Sequence, residues 1–224
     1  MNQRHLAGGL ADGVHDSQHS FRALLDAMAR PGQARWLGPA LPGVALGGAM
    51  ARLLLSLADD ETAVWWQNDD AGLAPWLRFH TGAPLADHLQ AAAFAVVTDL
   101  DQIPCLADFA QGSPAAPEQS TTLLMELPAF EGGLPQAWRG PGIEHVTLLS
   151  LAGLSADFWR QCQANQARFP QGVDMVLTCA EWAIGLPRST QVQPNPERGY
   201  VCCSQGRRCR HRGLMAFAGP AAPG

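Results

Sequence analysis

The chain is predicted to adopt an α/β fold, with helices laid on both faces of a sheet. Three observations lead there. Helical and strand-like apolar patterns alternate along most of the sequence. The stretch Phe169–Thr190 holds two β-prone runs, Val173 to Leu177 and Trp182 to Leu186, joined by a few residues and stopped by Pro187. Such a pair reads as a hairpin or as neighbouring strands. Finally, the 224 residues are 47% apolar and 16% charged, which suits a self-sufficient core and not a disordered chain.

The elements follow in order. Residues 1–15 are rich in glycine and alanine. An N-cap is expected at Asp16 or Ser17, and Phe21, Leu24, Leu25 and Met28 follow at the spacing of one helix face. Pro31-Gly32 ends that helix. His19 and Arg22 lie off the centre of its apolar stripe, where a polar head reaches solvent or a ligand. Gln33 to Leu37 is a short strand, followed by a Gly/Pro loop over 38–48. Ala49 to Ala58 is a helix apolar nearly all round, hence buried. Thr62 to Gln67 is a strand with Trp65 and Trp66 on opposite faces. A short helix spans Leu73 to Phe79, and His80 to Pro84 is a loop. Ala92 to Thr98 is a strand, and Asp101 caps a helix through Phe109. Gly112 to Gln119 is a solvent loop. Thr121 to Leu127, Ala137 to Arg139 and His145 to Leu151 are further strands. Ser155 caps a helix carrying Phe158, Trp159 and Cys162, which delivers the chain to the hairpin. From Pro194 to Gly224 no periodicity supports an element. Arg198, Arg207, Arg208, Arg210 and Arg212 make that end a basic, disordered tail.

Composition excludes some chemistry. All 15 basic residues are arginine and none is lysine, so neither a Schiff-base lysine nor a phosphate-loop lysine is possible. Arginine still binds oxyanions in bidentate fashion. A net charge of −5 offers no global field for nucleic acid. No secretory signal is visible, and the most apolar long window, Leu37 to Ala58, is too broken by Arg52, prolines and glycines to span a membrane. The expectation is a cytoplasmic protein with six reduced cysteines.

Several constellations could carry function. Asp174 is a carboxylate inside an apolar run, so it must be hydrogen-bonded, paired or functional. Backbone donors or Arg188 are the structural partners, and a ligand contact is the sharper alternative. Arg78-Phe79-His80-Thr81 joins a cation, an imidazole and a hydroxyl, which suits a phosphate or phosphonate but also an ordinary surface. His15 and His19 have metal-binding spacing, yet a cap at Asp16 leaves His15 outside the helix. Cys202, Cys203, Cys209 and His211 fit no standard zinc pattern. Gly140-Pro141-Gly142 lacks the third glycine of a dinucleotide fingerprint and reads as a turn. Cys179 follows a strand without a glycine-rich elbow and reads as a packed thiol.

Six stretches together resemble one family. They are Asp16–Arg22 continuing to Met28–Gly32, Leu55–Asp60, Leu77–Pro84, Ala116–Glu118, Gly140–Ile143, and Phe169–Asp174 continuing to Pro187–Thr190. In order and spacing they resemble the PhnH family, a subunit of the bacterial carbon–phosphorus lyase core complex. The resemblance covers about residues 14–193 as a single α/β domain and leaves 194–224 outside. It implies a three-layer sandwich with a mixed central sheet, similar to pyridoxal-phosphate-dependent transferases but without that cofactor, and a homodimer when isolated. It also implies action with PhnG, PhnI, PhnJ and PhnL, the complex consuming MgATP and an alkylphosphonate and releasing adenine. No catalytic role transfers to any residue. His19, Arg22, Arg78, His80, Asp174 and Arg188 are therefore binding candidates for ligand or partner, with no metal. The rival readings are a free-standing enzyme on phosphorylated metabolites, using His80, Asp174 and Cys179, and a nucleic-acid binder using the arginine-rich tail. The acidic balance disfavours the second rival.

Overall fold

A computed structural model describes residues 8–68 and 72–195. The first helix, α1 (Gly13–Ala29), starts earlier than Asp16 or Ser17, because Asp12 caps it. Its Oδ1 accepts the backbone N–H groups of Val14 at 3.1 Å and His15 at 3.0 Å. His15 therefore lies inside the helix, against expectation, with Nδ1 at 2.7 Å from Asp12 Oδ2. The short strand β1 (Arg35–Trp36) and the helix α2 (Gly48–Leu57) follow. α2 is buried nearly all round, as its apolar composition demands. Its one charge, Arg52, is buried too. It donates through Nε to Pro39 O at 2.7 Å and lies 3.6 Å from Asp16 Oδ1, tying the 38–39 loop and α1 to α2.

Next come β2 (Val64–Trp66), α3 (Leu73–Thr81) and β3 (Phe94–Val97). α3 runs through His80, which sequence reading put in a loop, and ends at Gly82 in the left-handed conformation at φ 80°. The helix expected from Asp101 to Phe109 is replaced by two 3-10 turns, Leu100–Gln102 and Leu106–Asp108. Pro104 sits mid-segment, where it removes a helical donor and clashes with the preceding turn. β4 (Thr122–Glu126), β5 (Gln136–Arg139), β6 (Thr147–Leu149), α4 (Ala156–Gln166), β7 (Asp174–Cys179), β8 (Trp182–Leu186) and β9 (Gln191–Pro194) complete the chain.

Six strands form a mixed sheet in the order β1-β8-β7-β4-β3-β2. β2, β3, β4 and β7 are parallel, while β8 turns back from β7 as the expected hairpin and pairs antiparallel with β1. Side-chain alternation gives each face its own core. Ala95, Val97, Leu123, Met125, Met175 and Leu177 face α4 and the small antiparallel sheet β6-β5-β9, meeting Phe158, Trp159 and Trp138. Val96, Leu124 and Val176 face the opposite way, onto α2 and the α3 side chains Trp76 and Leu77. Strands buried on both faces read as continuous apolar runs, which is how β4 and β7 appear in sequence.

Order does not stop at Gln193. Pro194 pairs with Gln136 in β9, and Asn195 N–H donates to Pro135 O at 3.0 Å. At the other end Leu10 packs into the core, so the folded unit also begins ahead of residue 14. The arginines and cysteines of 196–224 lie outside the described residues. No helix among the described residues is long and apolar enough to cross a membrane.

Candidate functional site

Of the six candidate residues, two meet. Asp174 opens β7 and Arg188 follows β8, so the hairpin returns one to the other. Asp174 Oδ1 accepts the backbone N–H of Arg188 at 2.8 Å, and Oδ2 accepts its guanidinium at 3.1 Å from Nε and 2.5 Å from Nη2. The same guanidinium donates to Pro117 O at 2.8 Å, Pro170 O at 3.3 Å and Ser120 Oγ at 2.5 Å. Both sequence-level partners of Asp174, the backbone and Arg188, are thus present together. A largely buried fork with each donor satisfied joins the hairpin to the 117–120 turn and the 169–170 turn.

The other four are dispersed. His19 and Arg22 are on α1, with His19 edge-on to Trp36 at 5.5 Å between ring centroids. Arg22 is exposed. Arg78 and His80 are on α3, Arg78 pointing to solvent. The His80 ring is edge-on to Trp76 at 5.7 Å and Phe79 at 5.1 Å. Burial holds its pKa below the ordinary histidine value, so this imidazole is neutral at pH 7. No group of three metal-ligating side chains forms among the described residues. A cavity of about 70 Å³ lies between the 105–111 segment and α4, lined by Cys105, Gln111, Gln161 and Arg168 among others. That is far below the roughly 300–1,000 Å³ of a small-molecule site.

A third polar junction was not foreseen. At the carboxyl ends of the parallel strands, where ligands of open α/β sheets collect, Glu126 closes β4 and Cys179 closes β7. Glu126 Oε1 accepts the Gly47 N–H at 2.8 Å, and Ala180 O accepts the Ala49 N–H at 2.8 Å. The carboxylate therefore caps α2, which has no cap side chain of its own. A Cβ on Gly47 would meet Glu126 Oε1 at 2.4 Å, so only glycine lets the carboxylate this close. Burial raises the Glu126 pKa above the usual carboxylate value, and the Gly47 bond offsets part of the rise. Burial, with the charges of Glu126 and Glu181, likewise raises the Cys179 thiol. Cys179 is therefore a protonated thiol at neutral pH, 3.6 Å from Pro128 O, and is hydrogen-bonded to no basic side chain among the described residues. The sequence offered only a carboxylate ending an otherwise apolar strand, a weaker signal than the apolar residues on both sides of Asp174.

These features define a mixed α/β protein in which Arg52, Glu126, Asp174 and Arg188 are committed to its own architecture. The family model described as "Bacterial phosphonate metabolism protein (PhnH)" matches residues 8–193. Over 190 residues the chain is 38% identical to "Alpha-D-ribose 1-methylphosphonate 5-triphosphate synthase subunit PhnH" of Rhizobium meliloti (strain 1021), covering 84% of this chain and 95% of that protein. It is also 36% identical over 81 residues to "Putative C-P lyase subunit protein HtxG" of Stutzerimonas stutzeri, covering 36% of this chain and 42% of that protein. The chain belongs to the PhnH family.

Proposed function

We propose that this chain is an accessory subunit of a carbon–phosphorus lyase system in phosphonate catabolism. The similarity to the Rhizobium synthase subunit, 38% over 95% of its length, carries this reading. In it the chain works with PhnG, PhnI and PhnL homologues, joins a core with PhnJ, and is a homodimer when isolated. The assembly converts MgATP and methylphosphonate to alpha-D-ribose 1-methylphosphonate 5-triphosphate. The bond from ribose C1 to adenine breaks, a bond from C1 to a phosphonate oxygen forms, and the phosphonate proton leaves with adenine. The chain itself holds neither metal nor pyridoxal phosphate; lacking lysine, it has no side-chain amine for an aldimine even on a transferase-like layer arrangement. Arg22 and Arg78, exposed and without an ion pair among the described residues, are the cations proposed to meet a ligand or partner.

The free-standing enzyme reading is the weaker one, because Asp174 is held by Arg188 and the Cys179 thiol is protonated. The test is adenine release from MgATP and methylphosphonate by co-purified PhnG, PhnI and PhnJ homologues with PhnL added, with and without this chain. Release is expected only when the chain is present in the assembly. Turnover by the isolated chain would transfer the activity to it and overturn the accessory reading.

A further inference from the structure

We propose that the outer face of α1 docks into an apolar groove of a different protein chain, with a carboxylate on the groove's rim opposite Arg22. Val14, Phe21 and Leu25 are 63%, 44% and 52% exposed. Their spacings of seven and four residues stack them on one line of the helix, which at 1.5 Å per residue runs about 16 Å. The inward face is separate, with Ser20, Leu24 and Ala27 buried. The apolar arc of α1 is therefore wider than the core uses, as in amphipathic helices that seat in grooves.

The charges on α1 indicate what lies opposite. Asp12 is bonded to His15, Asp16 reaches Arg52, and Asp26 holds both Arg30 and Arg35. Arg22, adjoining Phe21 and one turn from Leu25, is the aspartate or arginine of α1 without an ion pair among the described residues. A second copy is a poor occupant. Two α1 helices crossed antiparallel at Phe21 bring their Arg22 guanidinium groups together, with every α1 carboxylate already engaged. Three side chains also fall short of the roughly 800 Å² per partner of a stable interface between flat faces, whereas a groove adds Gln18, Arg22 and the helix flanks. A lipid surface is recruited by clustered cations, and this stripe offers one. This inference rests on the accessory-subunit reading, the groove belonging to another subunit of the assembly.

The assembly is purified through a tag on another subunit, with this chain as wild type, Phe21→Glu, Leu25→Glu or Arg22→Glu. Leu148→Glu, at a leucine 46% exposed on β6, is the control. Each α1 variant is expected to lower the bound fraction at least tenfold while its thermal unfolding matches wild type, and the control is expected to co-purify fully. A photo-crosslinking residue at position 25 of the otherwise wild-type chain is expected to capture another subunit. Co-purification of the α1 variants, equal loss in the control, or capture of a second copy of this chain each overturns the docking proposal and leaves the accessory reading standing. Failure of the wild-type chain to co-purify removes both.

Discussion

Asp174 and Glu126 are two carboxylates at strand ends with opposite consequences. Asp174→Asn retains an acceptor for the Arg188 N–H and should cost about 1–2 kcal/mol in urea unfolding. Asp174→Leu strands a largely buried guanidinium and should cost about 3–5 kcal/mol. Equal effects from the two would mean that the backbone bond contributes nothing. Glu126 carries a pH signature instead. Its pKa is raised in the folded state, so the native chain holds this proton more tightly than the unfolded chain. The associated stability is complete below the ordinary carboxylate value and is lost as pH rises through the higher, folded one. Glu126→Gln keeps the oxygen that caps α2 and removes that dependence, so its stability relative to wild type should climb through that window and then level. Glu126→Ala leaves the Gly47 N–H unmet and should lie about 1–2 kcal/mol below the Gln variant at any pH. A flat difference between the Gln variant and wild type from pH 4 to 8 would contradict the burial of Glu126. Asp174 was legible because apolar residues surround it in sequence. Glu126 was not, since a carboxylate at a strand's last position looks like ordinary solvent-facing termination and its partner is 79 residues away.

At the scale of elements, the contact between α1 and the sheet depends on a missing side chain. A Cβ on Gly185 of β8 would lie 2.6 Å from Ala27 O and 2.8 Å from Met28 Cα. Backbone cannot yield as a flexible side chain can, so Gly185→Ala should destabilise by about 2–3 kcal/mol, read as a lower urea midpoint with unchanged slope. A change below about 0.5 kcal/mol would show that α1 does not sit this close. Asn165 of α4 acts as a surrogate strand for Val173, donating to its carbonyl and accepting its N–H, both at 2.9 Å. Strand positions were readable because β4, β7 and β8 are apolar runs with clear stops. Element ends were less so. Gly13 disguised the cap at Asp12, and the apolar residues flanking Pro104 imitated a helix. The stripe Phe21–Leu24–Leu25–Met28 was legible as a helix face, but periodicity alone does not say which half is covered by the core and which by nothing in this chain.

For the whole molecule, the boundary of the folded unit is tested by truncation at β9. A chain ending at Asn195 should unfold at the full-length temperature, whereas one ending at Gln191 loses most of β9 and should melt several degrees lower. Equal midpoints for all three would make β9 dispensable. The mixed α/β class and the family were both legible, since alternating patterns and collinear motifs are read directly from the sequence. The arrangement of candidate residues was not, since it depends on strand order. That order has one more consequence. β1 pairs with β8, Arg35 against Ala183, so an early segment meets its neighbour only near the end of the described chain. At roughly 5–20 residues per second on the ribosome, α1 and β1 wait roughly 7–30 s for the hairpin that receives them. During that interval α1 has α2 to pack against but not β8, so the part of its inner face at Ala27 and Met28 that meets Gly185 stays uncovered. Stalled nascent chains should remain protease-sensitive at the C-terminal turn of α1 until Leu186 has cleared the exit tunnel, and turn resistant once β8 can close over Ala27.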